Sequence, residues 1–158
     1  MMYKRMPLIP VFILLALRPG AAQEPTVDPA TVEACFQSAA YGQVDPDCIG
    51  AASAACQSSA PGGETTVGIS GCTMAETAEW DAILNREYRA TRARFADIDG
   101  IGDQLLAAQR GWIAMRDADC TIAYDRWGGG SMRSIASALC QMNHTARRAL
   151  ELKHMRDN

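Results

Sequence analysis

Histidine is nearly absent. The chain of 158 residues holds two, His144 and His154. Its six cysteines include no C-x-x-C pair, so the spacings that hold structural zinc are missing. The run Gly128-Gly129-Gly130 is not preceded by a strand pattern and is not followed by a lysine in the Walker position. That excludes a phosphate-cradling loop. No alternating run of Val and Ile follows the first twenty residues, and nothing reads as a strand. A basic surplus is lacking as well, with 15 basic side chains against 18 acidic ones, which argues against a nucleic-acid partner. After Leu17 no apolar run approaches the roughly 20 residues that a bilayer-spanning helix needs.

What is present begins with a leader. Lys4 and Arg5 precede the apolar run Leu8 to Leu17, and Gly20-Ala21-Ala22 supplies small residues beyond it. This is the layout of a secretory signal peptide, residues 1–22, with cleavage expected after Ala22. No cysteine follows the run directly, so lipid attachment there is not expected, nor is membrane association after cleavage. Without Lys4, Arg5 and Arg18 the remainder keeps 12 basic and 18 acidic side chains, a net charge of −6 with His neutral. Moderate acidity serves solubility and also suits a cationic protein partner. The expected location is periplasmic or secreted.

All six cysteines lie beyond the leader, and an even count in an exported chain implies disulfides. Many pairings are open to six cysteines. Cys120 and Cys140 sit in the two arms of one expected hairpin, and Cys56 and Cys72 stand at the edges of an irregular stretch. That leaves Cys35 with Cys48.

In chain order, Asp28 caps a first helix with Pro29 at its first position, running to about Tyr41 with Val32, Cys35 and Phe36 on one face. Asp45-Pro46 starts a second short helix carrying Cys48, Ile49 and Cys56. Ser58 to Gly71 reads as a loop. A third helix is expected from Thr73 to about Asp97, with Thr73 and Glu76 as a capping box and Met74, Ala78, Ile83, Leu84, Tyr88 and Phe95 inward. Its Arg86, Arg89, Arg92 and Arg94 read as a solvated face. The fourth helix, about Asp103 to Trp127, has Leu105, Leu106, Trp112, Ile113, Cys120, Ala123 and Tyr124 along one stripe. Arg116 falls on that stripe and needs a partner there; Asp81 of the third helix is the expected one. The glycine run breaks the chain and Ser131 restarts it as the cap of a fifth helix, about Met132 to Lys153, with Ile135, Leu139, Met142, Ala146 and Leu150 inward. The fold class is therefore all-α: a disulfide-stapled bundle of two short N-terminal and three longer C-terminal helices.

Catalytic, metal and cofactor sites are not expected. His144 reads as a surface or partly packed residue, Ser131 has no evident base, and the scattered methionines read as core filler. Trp127, beside the glycines, either caps the apolar end of the hairpin or is an exposed aromatic anchor.

Five pieces go further: Asp81-x-x-Leu84-Asn85-x-x-Tyr88; Gln109-Arg110-x-Trp112-x-x-x-Arg116-Asp117-x-x-Cys120; Gly129-Gly130-Ser131; Cys140; and Thr145-x-x-Arg148-x-x-x-Leu152. Together they make the chain resemble the lysozyme inhibitor LprI-like family over about Cys72 to Leu152. The resemblance implies a small exported bacterial helical domain without catalysis. Its implied partner is lysozyme, with another envelope protein as the alternative. It also divides the chain into the leader, an N-terminal cysteine-bearing helical extension (23–71) and an LprI-like domain (72–158).

Overall fold

The computed structural model describes residues 24–157; the expected leader 1–22 lies outside the described residues. The chain forms five helices: α1 (Pro29–Ser38), α2 (Ala51–Ser59), α3 (Thr66–Arg94), α4 (Ile101–Asp125) and α5 (Met132–Asp157). No strand occurs among the described residues, and no helix there is long and apolar enough to cross a membrane. The architecture is the stapled all-α bundle expected, two short helices and three long ones. Disulfides join Cys35 to Cys48, Cys56 to Cys72 and Cys120 to Cys140.

α1 starts where its sequence dictates. Asp28 Oδ1 accepts from the Ala30 amide at 3.0 Å, and Pro29 occupies the first turn, where its missing N–H costs nothing. The helix ends at Ser38, short of Tyr41. Its last carbonyls are collected by Lys153 of α5, whose Nζ donates to Phe36 O at 2.9 Å and Ala39 O at 3.3 Å. A cation at a helix C-terminus also meets the negative end of the dipole.

α2 starts later than Asp45-Pro46. Residues 46–50 make tight turns, closed by Ile49 N to Pro46 O and Ala51 N to Cys48 O. Gly50, at φ +96°, then begins the helix, so Cys48 and Ile49 lie outside it. Glycine has no side chain to cap with, and the cap comes from elsewhere. The Glu76 carboxylate of α3 accepts from Gly50 N at 2.8 Å and Ser53 N at 2.7 Å, and also from Trp80 Nε1 at 3.0 Å. Glu76 is 1% exposed. A buried anion is stable there because three donors and the positive end of α2 converge on it.

The expected loop Ser58 to Gly71 is mostly helix, and the boundary at 71/72 falls inside α3. Thr65, not Thr73, is the cap, its Oγ1 accepting from Gly68 N at 3.1 Å. Thr73 is buried in mid-helix, where its hydroxyl donates to Ile69 O and meets Ser53 Oγ at 3.2 Å. The turn into α3 depends on glycine for space. A Cβ on Gly68 would strike the Gly62 carbonyl, and one on Gly63 the Gln57 carbonyl.

The core lies between α3 and α5, which share the largest interface. Thr91 Oγ1 donates to Leu152 O at one end, and Val67 and Ser70 face Ser134 and Ser137 at the other. These two helices therefore run side by side in the same direction. Trp80, Leu84, Ala146, Ala149, Leu150 and Leu152 fill the seam at 0–2% exposure. α1 and α2 cover this pair with Val32, Phe36 and Ala52. Of the expected inward residues of α3, Met74 and Ala78 are exposed; Leu139 of α5 is too.

α4 is the outlying helix. It packs chiefly on α5, meets α3 only slightly, and buries only Leu105 and Cys120. Ile113, expected inward, is 40% exposed.

One surface pair anchors α1. Arg86 donates to both Glu33 oxygens at 2.9 and 3.2 Å and lies 5.1 Å from the Phe36 ring centroid. The Arg86 hydrogen bonds hold the Glu33 carboxyl below its ordinary 4.5. A carboxyl with a lowered folded value stabilises the fold above its unfolded value and loses that contribution as pH falls through the folded one. Glu33→Gln is expected to lower stability by a few tenths of a kcal/mol at pH 7, since the pair is solvent-screened. Urea midpoints of wild type and variant should converge as the pH falls below about 4. A gap that stays constant down to pH 2 would count against the pair.

Candidate functional site

The α4–α5 hairpin turns at residues 126–131. Gly128, at φ +54°, takes a conformation that a side chain resists, and Gly129 and Gly130 are exposed beside it. Ser131 steadies the first turn of α5 through its carbonyl, which accepts from Ser134 Oγ at 3.3 Å. Just below the turn the Cys120–Cys140 bond crosses between the helices, with Cα atoms 5.4 Å apart. It ties α4, which buries only Leu105 and Cys120, to α5.

This end of the molecule is apolar and open. Trp127 is 43% exposed and Ile122 65%, with Met132 and Leu139 similarly open. These four flank a cleft of about 460 Å³ that reaches Asp119 and Cys140, with buried Ile135 in its wall. Around the hairpin, Val67 and Met74 of α3 edge a second cleft shared with Tyr124 and Ser137. The described residues have eleven exposed large hydrophobics; four of them, Ile122, Trp127, Met132 and Leu139, line the first cleft, and Val67 and Met74 line the second. Scattered singly such residues mean little, but gathered they mark a contact surface. Arg126 lies over the Trp127 ring at 5.7 Å and Arg133 over Tyr124 at 5.0 Å, each limiting the motion of its aromatic partner.

The sequence motif residues form a separate group lower on α4 and α5. Trp112 is half-buried against the core, and Arg116 covers its ring at 4.9 Å. Arg116 does not meet Asp81. Its Nε and Nη2 donate to Asp117 Oδ1 at 2.9 and 2.8 Å, although Asp117 is the next residue in the chain. Asp81 is exposed and accepts from Asn85 Nδ2 at 2.8 Å. The reason is the lean of α4 toward α5, which brings little of it against α3. Arg148 joins the two arms, donating from Nε to Gln109 Oε1 at 3.1 Å and from Nη1 to Glu151 at 3.0 Å.

His144 stands beside the disulfide with Nε2 3.2 Å from Asp119 Oδ2. All six cysteines are oxidised, so none is a free nucleophile. What this region offers chemically is contact area on a clamped frame.

Sequence reasoning read Glu76 as half of a local capping box with Thr73, and it passed over Glu87 and Trp80. Glu87 is 2% exposed and pairs with Arg86 and Arg156. Both carboxylates act across long sequence separations that no local pattern reveals.

The fold and this surface define a small, disulfide-clasped all-α protein with an exposed apolar end. The family described as Lysozyme inhibitor LprI matches residues 56–152, more than half of the chain, and the chain belongs to it. It is also 36% identical over 89 residues to an uncharacterized protein of Rhizobium meliloti. That alignment covers 49% of this chain and 64% of the relative, less than two thirds of its length. No solved structure matches.

Proposed function

We propose that this protein is exported and inhibits lysozyme by direct protein contact, with the Trp127 end of the hairpin as the contact surface. The observation that carries the reading is the cleft lined by the exposed hydrophobics Ile122, Trp127, Met132 and Leu139, in a chain of this inhibitor family. Two turns could serve as a cleft-filling loop, residues 60–65 and Trp127–Ser131, and only the second carries an exposed aromatic side chain. Aromatic anchors of this kind dominate interface energies. Lysozyme is a strongly basic protein. The excess of acidic side chains in residues 23–158 speeds the encounter with such a partner, and the apolar end supplies the affinity. Export fits three disulfides, which persist in oxidising compartments.

The test is a bacterial-cell lysis assay with lysozyme and the purified chain. Inhibition that saturates near one chain per enzyme is expected. Trp127→Ala should weaken it by about ten- to a hundredfold, the loss of one interface anchor, with the circular dichroism unchanged. No inhibition at large excess removes the reading. Binding to lysozyme without inhibition would leave a non-inhibitory envelope interaction module in its place.

A further inference from the structure

We propose that the Cys120–Cys140 bond doubles as a redox-gated metal site. When it is reduced, Cys120, Cys140 and His144 bind one divalent cation of the zinc class, and the metal replaces the disulfide as the clasp of the hairpin.

The ligand atoms of these three residues lie within 4.8 Å of one another. Cys140 and His144 are four apart on α5, which puts them on one face of successive turns. Cys120 faces them from α4. Tetrahedral zinc takes Zn–S at about 2.3 Å and Zn–N at about 2.0 Å. Two thiolates on one zinc ion therefore stand about 3.8 Å apart. From an ordinary S–S bond of about 2.05 Å, each sulfur needs to retreat only about 1 Å, within the reach of side-chain rotation.

A second observation points the same way. His144 Nε2 already faces Asp119 Oδ2 at 3.2 Å. Metal-bound imidazoles usually give their second N–H to a carboxylate, which fixes the tautomer and makes the other nitrogen a better donor. A turn of the ring that gives Nε2–H to Asp119 would leave Nδ1 for a metal. A fourth position is open to water from the clefts on either side, one reaching Cys140 and Asp119, the other Cys120 and Asp117. Among the described residues, neither of the other two cysteine pairs belongs to such a histidine-bearing cluster.

The chemistry balances. A dithiol reductant passes two electrons and two protons to the Cys120–Cys140 bond and leaves as its own disulfide. The two thiols formed then release two protons to solvent as the dication binds their thiolates. A disulfide oxidant takes two electrons from the thiolates, leaves with two protons as its own dithiol, and the re-formed Cys120–Cys140 bond releases the metal. The soft sulfur–nitrogen donor set selects zinc-class ions over magnesium or calcium.

Cobalt(II) is the probe, added without oxygen to the full chain before and after treatment with a dithiol, with alkylation and mass mapping to record which bonds opened. Expected is one cobalt per reduced chain with thiolate-to-cobalt absorption and tetrahedral visible bands, none in the oxidised chain, and displacement by zinc. His144→Ala keeps the disulfide, so its oxidised form should fold as the wild type does; once reduced, it should bind cobalt at least about tenfold more weakly. Asp119→Asn should lose about tenfold through the imidazole it orients. The idea is overturned by a reduced wild type with the 120–140 bond open and no thiolate band. An equal band in C120S/C140S, or cobalt affinity unchanged by His144→Ala, overturns it as well.

Discussion

Glu76→Ala is expected to lower the stability of the fold by about 4 kcal/mol, the largest effect of any single change on α2. Three N–H groups, from Gly50, Ser53 and Trp80, lose their acceptor together. An unsatisfied buried donor costs about 1–3 kcal/mol, and water entering the gap recovers part of that. The first turn of α2 also loses the anion opposite its dipole. Glu76→Gln separates the contributions. Its size is right, but its amide NH2 must face one of the N–H groups, so a loss of about 2 kcal/mol is expected. Urea unfolding gives both values, and hydrogen exchange locates them. The amides of residues 50–56 should lose protection before those of α5. A loss below about 1 kcal/mol for the alanine variant would mean that the carboxylate is not the cap that holds α2.

Converting Cys120 and Cys140 to serine is expected to cost about 3 kcal/mol in the chain-entropy account, for a closed span of 20 residues. The effect should be uneven. α4 buries only Leu105 and Cys120, so the arm beyond Trp112 has little apolar contact to hold it once the bond is gone. Amide exchange should rise over residues 112–131 while the α3–α5 seam stays protected. Any lysozyme inhibition should fall with it, because Trp127 then presents itself from a loose arm. Opening Cys56–Cys72, whose bond closes a similar span of 16 residues, should cost a similar amount yet leave the Trp127 end unchanged. Uniform loosening in both variants would show that the clasp has no local role.

Local chemistry was readable in advance at some helix ends. Asp28-Pro29 starts α1 because cap and first turn are adjacent. The glycine run ends α4 because no neighbour is needed to free the backbone. α3 was harder. Its buried face includes Thr73, Glu76, Thr77, Glu87 and Thr91, so the apolar stripe that marks a helix is interrupted at nearly every turn. Its first turns, rich in glycine and serine, resemble a loop. The expected Arg116–Asp81 pair was argued from two helical faces without knowledge of how the helices lean. The sparse contact between α3 and α4 decided against it.

The amino-acid order alone determined the all-α class, the five helices and the two-armed hairpin, because helix starts, stops and periodicities are set within a few residues. Tertiary structure alone decided which faces are buried, that Glu76 caps a helix 26 residues away from it, that Lys153 closes α1, and that four exposed hydrophobics line one cleft. Those outcomes depend on the packing of whole helices, where burial makes a distant donor stronger than any local one and leaves exposed whatever the neighbouring helix fails to reach.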